Sequence, residues 1–214
     1  MFRNRFEAGD QLAHKLEKYS DDRCIIYAIP RGGVPVAERV AILLKKPIEV
    51  LIVKKIGSPW EEEFALGAVT EGNSPSYHLE HTIIRSIGLD ERAVQNLIEK
   101  KLKEIERAQH LYRSDRKMLT DPDATGIIVD DGIATGSTVK AAIKFLRNIG
   151  QKKIVVAAPV ADEIVVDDLE KLADDVVCVN VVQGLYAVGE FYRDFSQVSD
   201  KEVLDILKKA VSTS

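Results

Sequence analysis

The sequence predicts an α/β protein: a central, mostly parallel sheet flanked by helices. Three observations lead there. Short apolar, β-branched runs at residues 24–29, 48–53, 127–129, 153–158 and 176–181 alternate with longer patterns at helical spacing. Runs apolar at nearly every position must be covered on both faces, as in a parallel sheet with helical crossovers. Glycine-containing turns follow two of the runs, at the carboxyl ends of strands, where open α/β sheets gather their ligands. A length of 214 residues suits one such domain with an elaboration.

Each element has its own warrant. Phe6, Gly9, Leu12, Ala13, Leu16 and Tyr19 recur at helical spacing and give the first helix one core face, with His14 solvated off the stripe. Residues 24–29 form the first buried strand, broken by Pro30-Arg31-Gly32-Gly33, and residues 34–44 form a helix with small residues toward the sheet. Pro47 opens a second strand over 48–53, ending in Lys54-Lys55. Neighbouring strand residues face opposite ways, so one lysine would point toward the carboxyl-end site and one away. Gly57-Ser58-Pro59 is a turn, residues 65–70 suit a strand, residues 71–75 are a loop, and residues 76–79 suit a short strand.

Residues 90–117 carry the longest helical pattern, with Val94, Leu97, Ile98, Leu102, Ile105, Ala108, Leu111 and Tyr112 on one stripe flanked by charges. It is long for a crossover, so residues 56–120 read as an elaboration on the core, with a homodimer interface as one candidate role. After the strand at 127–129 come a helix over 139–149, a strand over 153–158, a helix over 162–173 and a strand over 176–181. Residues 182–199 are dense in aromatics, and residues 201–211 suit a final amphipathic helix.

Composition excludes some function classes. A net charge of −4 gives no general electrostatic reason to bind nucleic acid or membranes. Cys24 and Cys178 both sit in strand-like apolar runs without metal-ligand spacing, which favours buried free thiols. The first residues carry no apolar signal region and no long apolar span occurs, so a cytoplasmic location is expected.

The chemistry concentrates in Ile127-Ile128-Val129-Asp130-Asp131-Gly132-Ile133-Ala134-Thr135-Gly136-Ser137-Thr138. A small-residue turn opening a helix presents unpaired backbone N–H groups that suit a phosphate. The hydroxyls of Thr135, Ser137 and Thr138 can add donors, and Gly136 allows close approach. Two adjacent carboxylates would repel that phosphate. They suit sugar hydroxyls or a hydrated Mg²⁺ instead. Phosphate beside diol describes a ribose phosphate. In the Pro30-Arg31-Gly32-Gly33 loop, Arg31 offers a planar fork of donors for phosphate oxygens.

The acid-pair string resembles the phosphoribosyl pyrophosphate signature of the type I phosphoribosyltransferases. A group of uncharacterised members shares the Pro-Arg-Gly-Gly loop, a Lys-Ile-Gly-x-Pro segment (Lys55 to Pro59 here) and the Asp-Asp-Gly-Ile-Ala-Thr-Gly string. The resemblance implies a phosphoribosyltransferase-like domain over residues 1–214, with a lid and helical insertion at 56–120 and a hood at 182–199. It implies that Ala134, Thr135, Gly136, Ser137 and Thr138 hold the 5-phosphate. Asp130 and Asp131 are the implied catalytic pair and the implied Mg²⁺ site, with the metal contacted indirectly. Arg31, Gly32, Gly33, Lys54 and Lys55 are the implied pyrophosphate site. Glu63 is the implied lid acid, and Trp60 suits either a cover for a bound base or an anchor for its loop. Tyr186 would stack on the acceptor and Asp194 would lie near base or metal, although the spacing from Gly189 to Asp194 departs by one residue from that pattern. Some members have a cis peptide where Pro30 meets Arg31. Hypoxanthine-guanine members place an aspartate base where this chain has Ala134.

The implied reaction displaces pyrophosphate from phosphoribosyl pyrophosphate by a nitrogen acceptor, such as a nucleobase. The alternative is a non-catalytic regulator that binds phosphoribosyl pyrophosphate. A dinucleotide-binding protein is disfavoured, because no Gly-x-Gly-x-x-Gly turn follows the first strand.

Overall fold

The computed structural model describes residues 1–60, 64–72, 75–114 and 116–211. In chain order the first elements are α1 (Arg5–Lys15), β1 (Cys24–Ala28), α2 (Gly33–Leu44), β2 (Ile48–Val50), β3 (Val53–Gly57), β4 (Ala65–Thr70), β5 (Tyr77–Leu79), α3 (His81–Ser86) and α4 (Glu91–Arg113). Then follow β6 (Thr125–Val129), α5 (Ser137–Asn148), β7 (Lys153–Asp162), α6 (Glu163–Leu169), β8 (Asp175–Val182), a short 3₁₀ turn at Val188–Phe191, and α7 (Asp200–Val211).

Five strands form a wholly parallel sheet of order β2-β1-β6-β7-β8. Side-chain alternation sorts its residues onto two faces. Ile26, Ala28, Ile127, Val129, Val155 and Ala157 pack with residues of α1, α2 and α7. Ile25, Tyr27, Ile128, Ile154, Val156 and Ala158 pack with residues of α5 and α6. Both faces are thus covered, as the unbroken apolar runs require.

The second strand departs from expectation. Residues 48–53 do not run on as one strand: β2 stops at Val50, and β3 joins β4 and β5 in a separate antiparallel sheet. The backbone leaving a sheet edge needs new partners. Glu71 supplies them, its Oε1 accepting from Ile52 N at 2.8 Å while its own N–H donates to Ile52 O at 3.1 Å. Glu71, expected in a plain loop, is therefore buried. A third apolar cluster, including Val50, Ile52, Ile56, Leu66, Val69, Val94, Ile98 and Ile105, joins this sheet to α3 and α4.

Smaller corrections have local causes. Phe6 is exposed, because α1 instead buries Arg5, Ala8, Gly9, Leu12 and Ala13. Gly9 lets α2 approach so closely that a Cβ there would lie 2.7 Å from Val36 O. Leu111 on the α4 stripe is also exposed. The helix expected over 162–173 ends at Leu169, and the following turn lets Asp174 accept from Ile154 N at 2.7 Å. β7 runs to Asp162, past the expected residue 158, because β8 pairs with it along that length. Cys24 is buried and Cys178 half-buried, both free. Among the described residues no helix is long and apolar enough to cross a membrane.

Candidate functional site

Strand register places two loops side by side. Ala28 pairs with Val129, so the turn after β1 and the acids after β6 leave the same sheet edge as neighbours. The long β7 props the second loop. Ile133 N donates to Val160 O at 2.9 Å, and Asp162 N donates to Ile133 O at 3.0 Å. Asp162 also caps α6 at Ile164 N (3.0 Å) and accepts from Leu185 N (2.8 Å), which fixes the entry to the aromatic segment.

These loops border a cleft of about 840 Å³. Of the residues singled out from sequence, Arg31, Gly32, Lys54, Lys55, Asp130, Asp131, Ala134, Thr135, Gly136, Thr138 and Tyr186 line it. Both lysines do so, where alternation alone would turn one away. Gly33 sits behind the wall, where a Cβ would meet Val129 O at 2.7 Å. Ser137 is buried and its hydroxyl donates to Glu80 Oε1 at 3.3 Å, so it faces the insertion. Asp194 lies away from the cleft, its Oδ1 accepting from Ser196 N at 3.0 Å. Glu63 lies outside the described residues.

The phosphate-suited end is built as its residues dictate. Gly136 adopts a left-handed φ of 72° and caps α5 without a side chain of its own to bond the first-turn amides. Those N–H groups have no intrahelical partners, and the dipole adds partial positive charge. The peptide from Pro30 to Arg31 is cis, as the resemblance implied. Arg31 Nη1 lies 3.7 Å from Asp200 Oδ1 of α7.

The two acids sit in unlike surroundings. Asp130 is crowded by protein, and its Oδ1 accepts from Asp131 N at 2.9 Å. Burial, then the charge of Asp131, hold its carboxyl well above the usual range, with Lys55 partly opposing. Asp131 is paired: Arg5 Nε donates to its Oδ2 at 2.7 Å. Tyr192 Oη donates to the Asp131 carbonyl at 2.6 Å, and burial drives that phenol's pKa up.

Sequence reading missed several contributors. Arg5 lies 126 positions from its partner, and no local pattern could reveal the pairing. Lys101 and Glu104 of α4 also line the cleft, their side chains 3.1 Å apart. Lys101 did leave a signal, because it falls on the apolar stripe between Ile98 and Ile105. Val188 and Phe195 join Tyr186 on the hood side.

Among the described residues no group of three or more His, Cys, Asp or Glu side chains could hold a metal ion. The donor set is the acid pair, with one carboxylate oxygen taken by Arg5. That fits Mg²⁺, which keeps several waters and takes further oxygens from substrate phosphates.

Residues 3–192 match the family described as Phosphoribosyl transferase domain. Two Mycobacterium tuberculosis proteins provisionally named phosphoribosyl transferases are 39% identical over 210 residues, covering 98% of this chain and 47% of theirs. The chain thus spans about half the length of these curated relatives. The crystal structure of TT1426 from Thermus thermophilus is similar at 35% identity and a TM-score of 0.79, covering 98% of each chain.

Proposed function

We propose a specific reaction on the premise that this chain belongs to the phosphoribosyl transferase domain family. It transfers the phosphoribosyl group of phosphoribosyl pyrophosphate to a nitrogen acceptor, a nucleobase or related compound, and releases pyrophosphate. One observation carries the reading: a glycine-capped helix N-terminus, an acid pair and four cationic side chains line a single cleft.

The amides around residues 135–138, with Thr135 and Thr138, hold the 5-phosphate. Asp130 and Asp131 accept from the ribose hydroxyls. Arg31, Lys54 and Lys55 face the pyrophosphate, with the Gly32 amide beside them. Asp130 and Asp131 would hold a hydrated Mg²⁺, which would supply charge neutralisation for the departing pyrophosphate. The carbon–nitrogen bond forms at the anomeric carbon as the bond to pyrophosphate oxygen breaks. Positive charge develops on the ribose ring, so orientation and fixed charges are the protein's main contributions. Tyr186, Val188 and Phe195 give the acceptor an apolar wall. Ala134 cannot take a proton, so hypoxanthine-guanine chemistry with a base at that position is not the expected activity.

The test is an assay with Mg²⁺, phosphoribosyl pyrophosphate and separate bases, together with isotope exchange between pyrophosphate and donor. Turnover that Asp131→Asn abolishes supports the reading. Efficient guanine or hypoxanthine turnover, not increased by Ala134→Asp, would contradict the acceptor argument. Donor binding without turnover of any acceptor would favour a phosphoribosyl pyrophosphate-binding regulator.

A further inference from the structure

We propose that Arg5 is a positioning residue of the cleft, holding the Asp131 carboxylate in place for the ribose hydroxyls and tying it to the hood. The inference rests on the reading of the cleft as a phosphoribosyl site, and it concerns a helix outside the sequence motifs.

The contacts are convergent. Arg5 Nε donates to Asp131 Oδ2 at 2.7 Å, and Nη1 donates to the Ser196 carbonyl at 2.9 Å. The guanidinium carbon lies 3.8 Å from the ring centroid of Phe195, which itself lines the cleft, and 5.9 Å from that of Tyr192. Tyr192 donates to the Asp131 carbonyl at 2.6 Å, so backbone and side chain of the same acid are held from one side. The start of the chain is fixed to the hood as well: Phe2 N donates to Phe191 O at 2.8 Å, and Arg193 N donates to Phe2 O at 2.9 Å. Asn4 then caps α1 through Glu7 N at 3.1 Å. Arg5 thus enters from the first turn of a capped helix.

Stability alone explains this pair poorly. The side chains of Arg5 and Asp131 are only 10% and 15% exposed. Desolvating both charges costs about what their attraction returns. The arrangement makes sense for a carboxylate that must keep one orientation beside a second acid. Arg5 neutralises it, occupies Oδ2 and leaves Oδ1 to accept from a ligand hydroxyl. A lysine could supply the charge, but could not also reach Ser196 O and lie flat on Phe195.

The experiment measures ribose 5-phosphate and pyrophosphate separately by calorimetry, on the unaltered protein, Arg5→Lys, Arg5→Gln, Asp131→Asn and the double variant Arg5→Gln/Asp131→Asn. Arg5→Gln should weaken ribose 5-phosphate about ten-fold, as expected for losing a charge-assisted hydrogen bond. Arg5→Lys should recover part of that loss, and pyrophosphate affinity should stay within about two-fold. The double variant should bind ribose 5-phosphate no more weakly than Asp131→Asn, because Arg5 acts through that acid. Unchanged ribose 5-phosphate affinity in Arg5→Gln, or additive losses in the double variant, overturns the inference and leaves the cleft reading intact. If Arg5→Gln does not fold, Arg5→Lys decides, since unaltered ribose 5-phosphate affinity there also overturns it. Binding of neither ligand by the unaltered protein overturns both the cleft reading and the inference.

Discussion

Gly32 and Asp131 compete for one volume: a Cβ on Gly32 would stand 1.9 Å from Asp131 Oδ2. The acid proposed to face the ribose rests directly on the loop proposed to hold pyrophosphate. Any side chain at 32 must displace the carboxylate, the loop, or both. Gly32→Ala should therefore weaken ribose 5-phosphate and pyrophosphate together. It should also cost about 1–3 kcal/mol of stability, as overpacking usually does. Calorimetry and urea unfolding check this, and affinity for both ligands unchanged from the unaltered protein would refute it.

Asp130 carries a cost of a different kind. Its carboxyl is held above the ordinary 3.8 by burial and then by Asp131. The folded protein therefore keeps a proton that the unfolded chain releases first. Stability falls as pH rises from 3.8 through the raised folded value. Asp130→Asn removes that fall. At neutral pH the variant should be more stable by on the order of 1 kcal/mol, raising Tm by roughly 2–4 °C. The gain should vanish in acid, where both states are protonated, and ribose 5-phosphate binding should be lost. A neutral-pH Tm equal to or below that of the unaltered protein would count against it.

These two residues also show how much of the site is legible in the sequence. Strand β6, both acids and the turn into α5 are consecutive, and the roles proposed for them come from local chemistry. The parallel order follows from apolar runs alternating with helices. The separation of β3 from β2 is not legible, because it depends on Glu71 capturing the backbone of Ile52 from 19 positions away. Arg5 is hidden for the same reason. Ser137 reads as a donor to phosphate, but Glu80 of the insertion takes its hydroxyl. Sequence pattern reports what neighbours do, and long-range polar pairing leaves almost no local trace.

The end of α4 is fastened to β2 and Glu71 by a buried ion cluster. Arg113 Nε donates to Glu49 Oε1 at 2.9 Å, and its other nitrogens bond Glu71 and the Val50 carbonyl. Arg116 and the Leu119 amide also reach Glu49, at 2.7 Å and 2.8 Å. Among the described residues no buried side-chain polar atom lacks a partner. Arg113→Met would leave buried Glu71 without its arginine and Glu49 with Arg116 as its remaining arginine, and should cost about 3–5 kcal/mol. Adding Glu71→Gln should recover part of this, because an amide can still bond to Gln109 without carrying charge. Urea unfolding of both variants checks the order, and a loss for Arg113→Met under about 1 kcal/mol, the scale of an exposed pair, would refute it.

Lys101 extends the cationic side of the cleft from the insertion. It lies on the buried stripe of α4, where an apolar residue is expected, and its ammonium is 3.1 Å from Glu104 Oε1. Both residues line the cleft with Lys54 and Lys55. A multiply charged pyrophosphate drawn to these lysines would compete with Glu104 for the Lys101 ammonium. Lys101→Met keeps the apolar stem and removes the charge, so pyrophosphate affinity should fall about five- to ten-fold, on the order of 1 kcal/mol. Glu104→Gln should raise it, because a competitor for the same cation is gone. Ribose 5-phosphate affinity should change in neither variant, and the difference between ligands should shrink at high salt. Calorimetry at two ionic strengths reads all of this. Equal losses for both ligands in Lys101→Met would instead mark Lys101 as a support for the α4 packing.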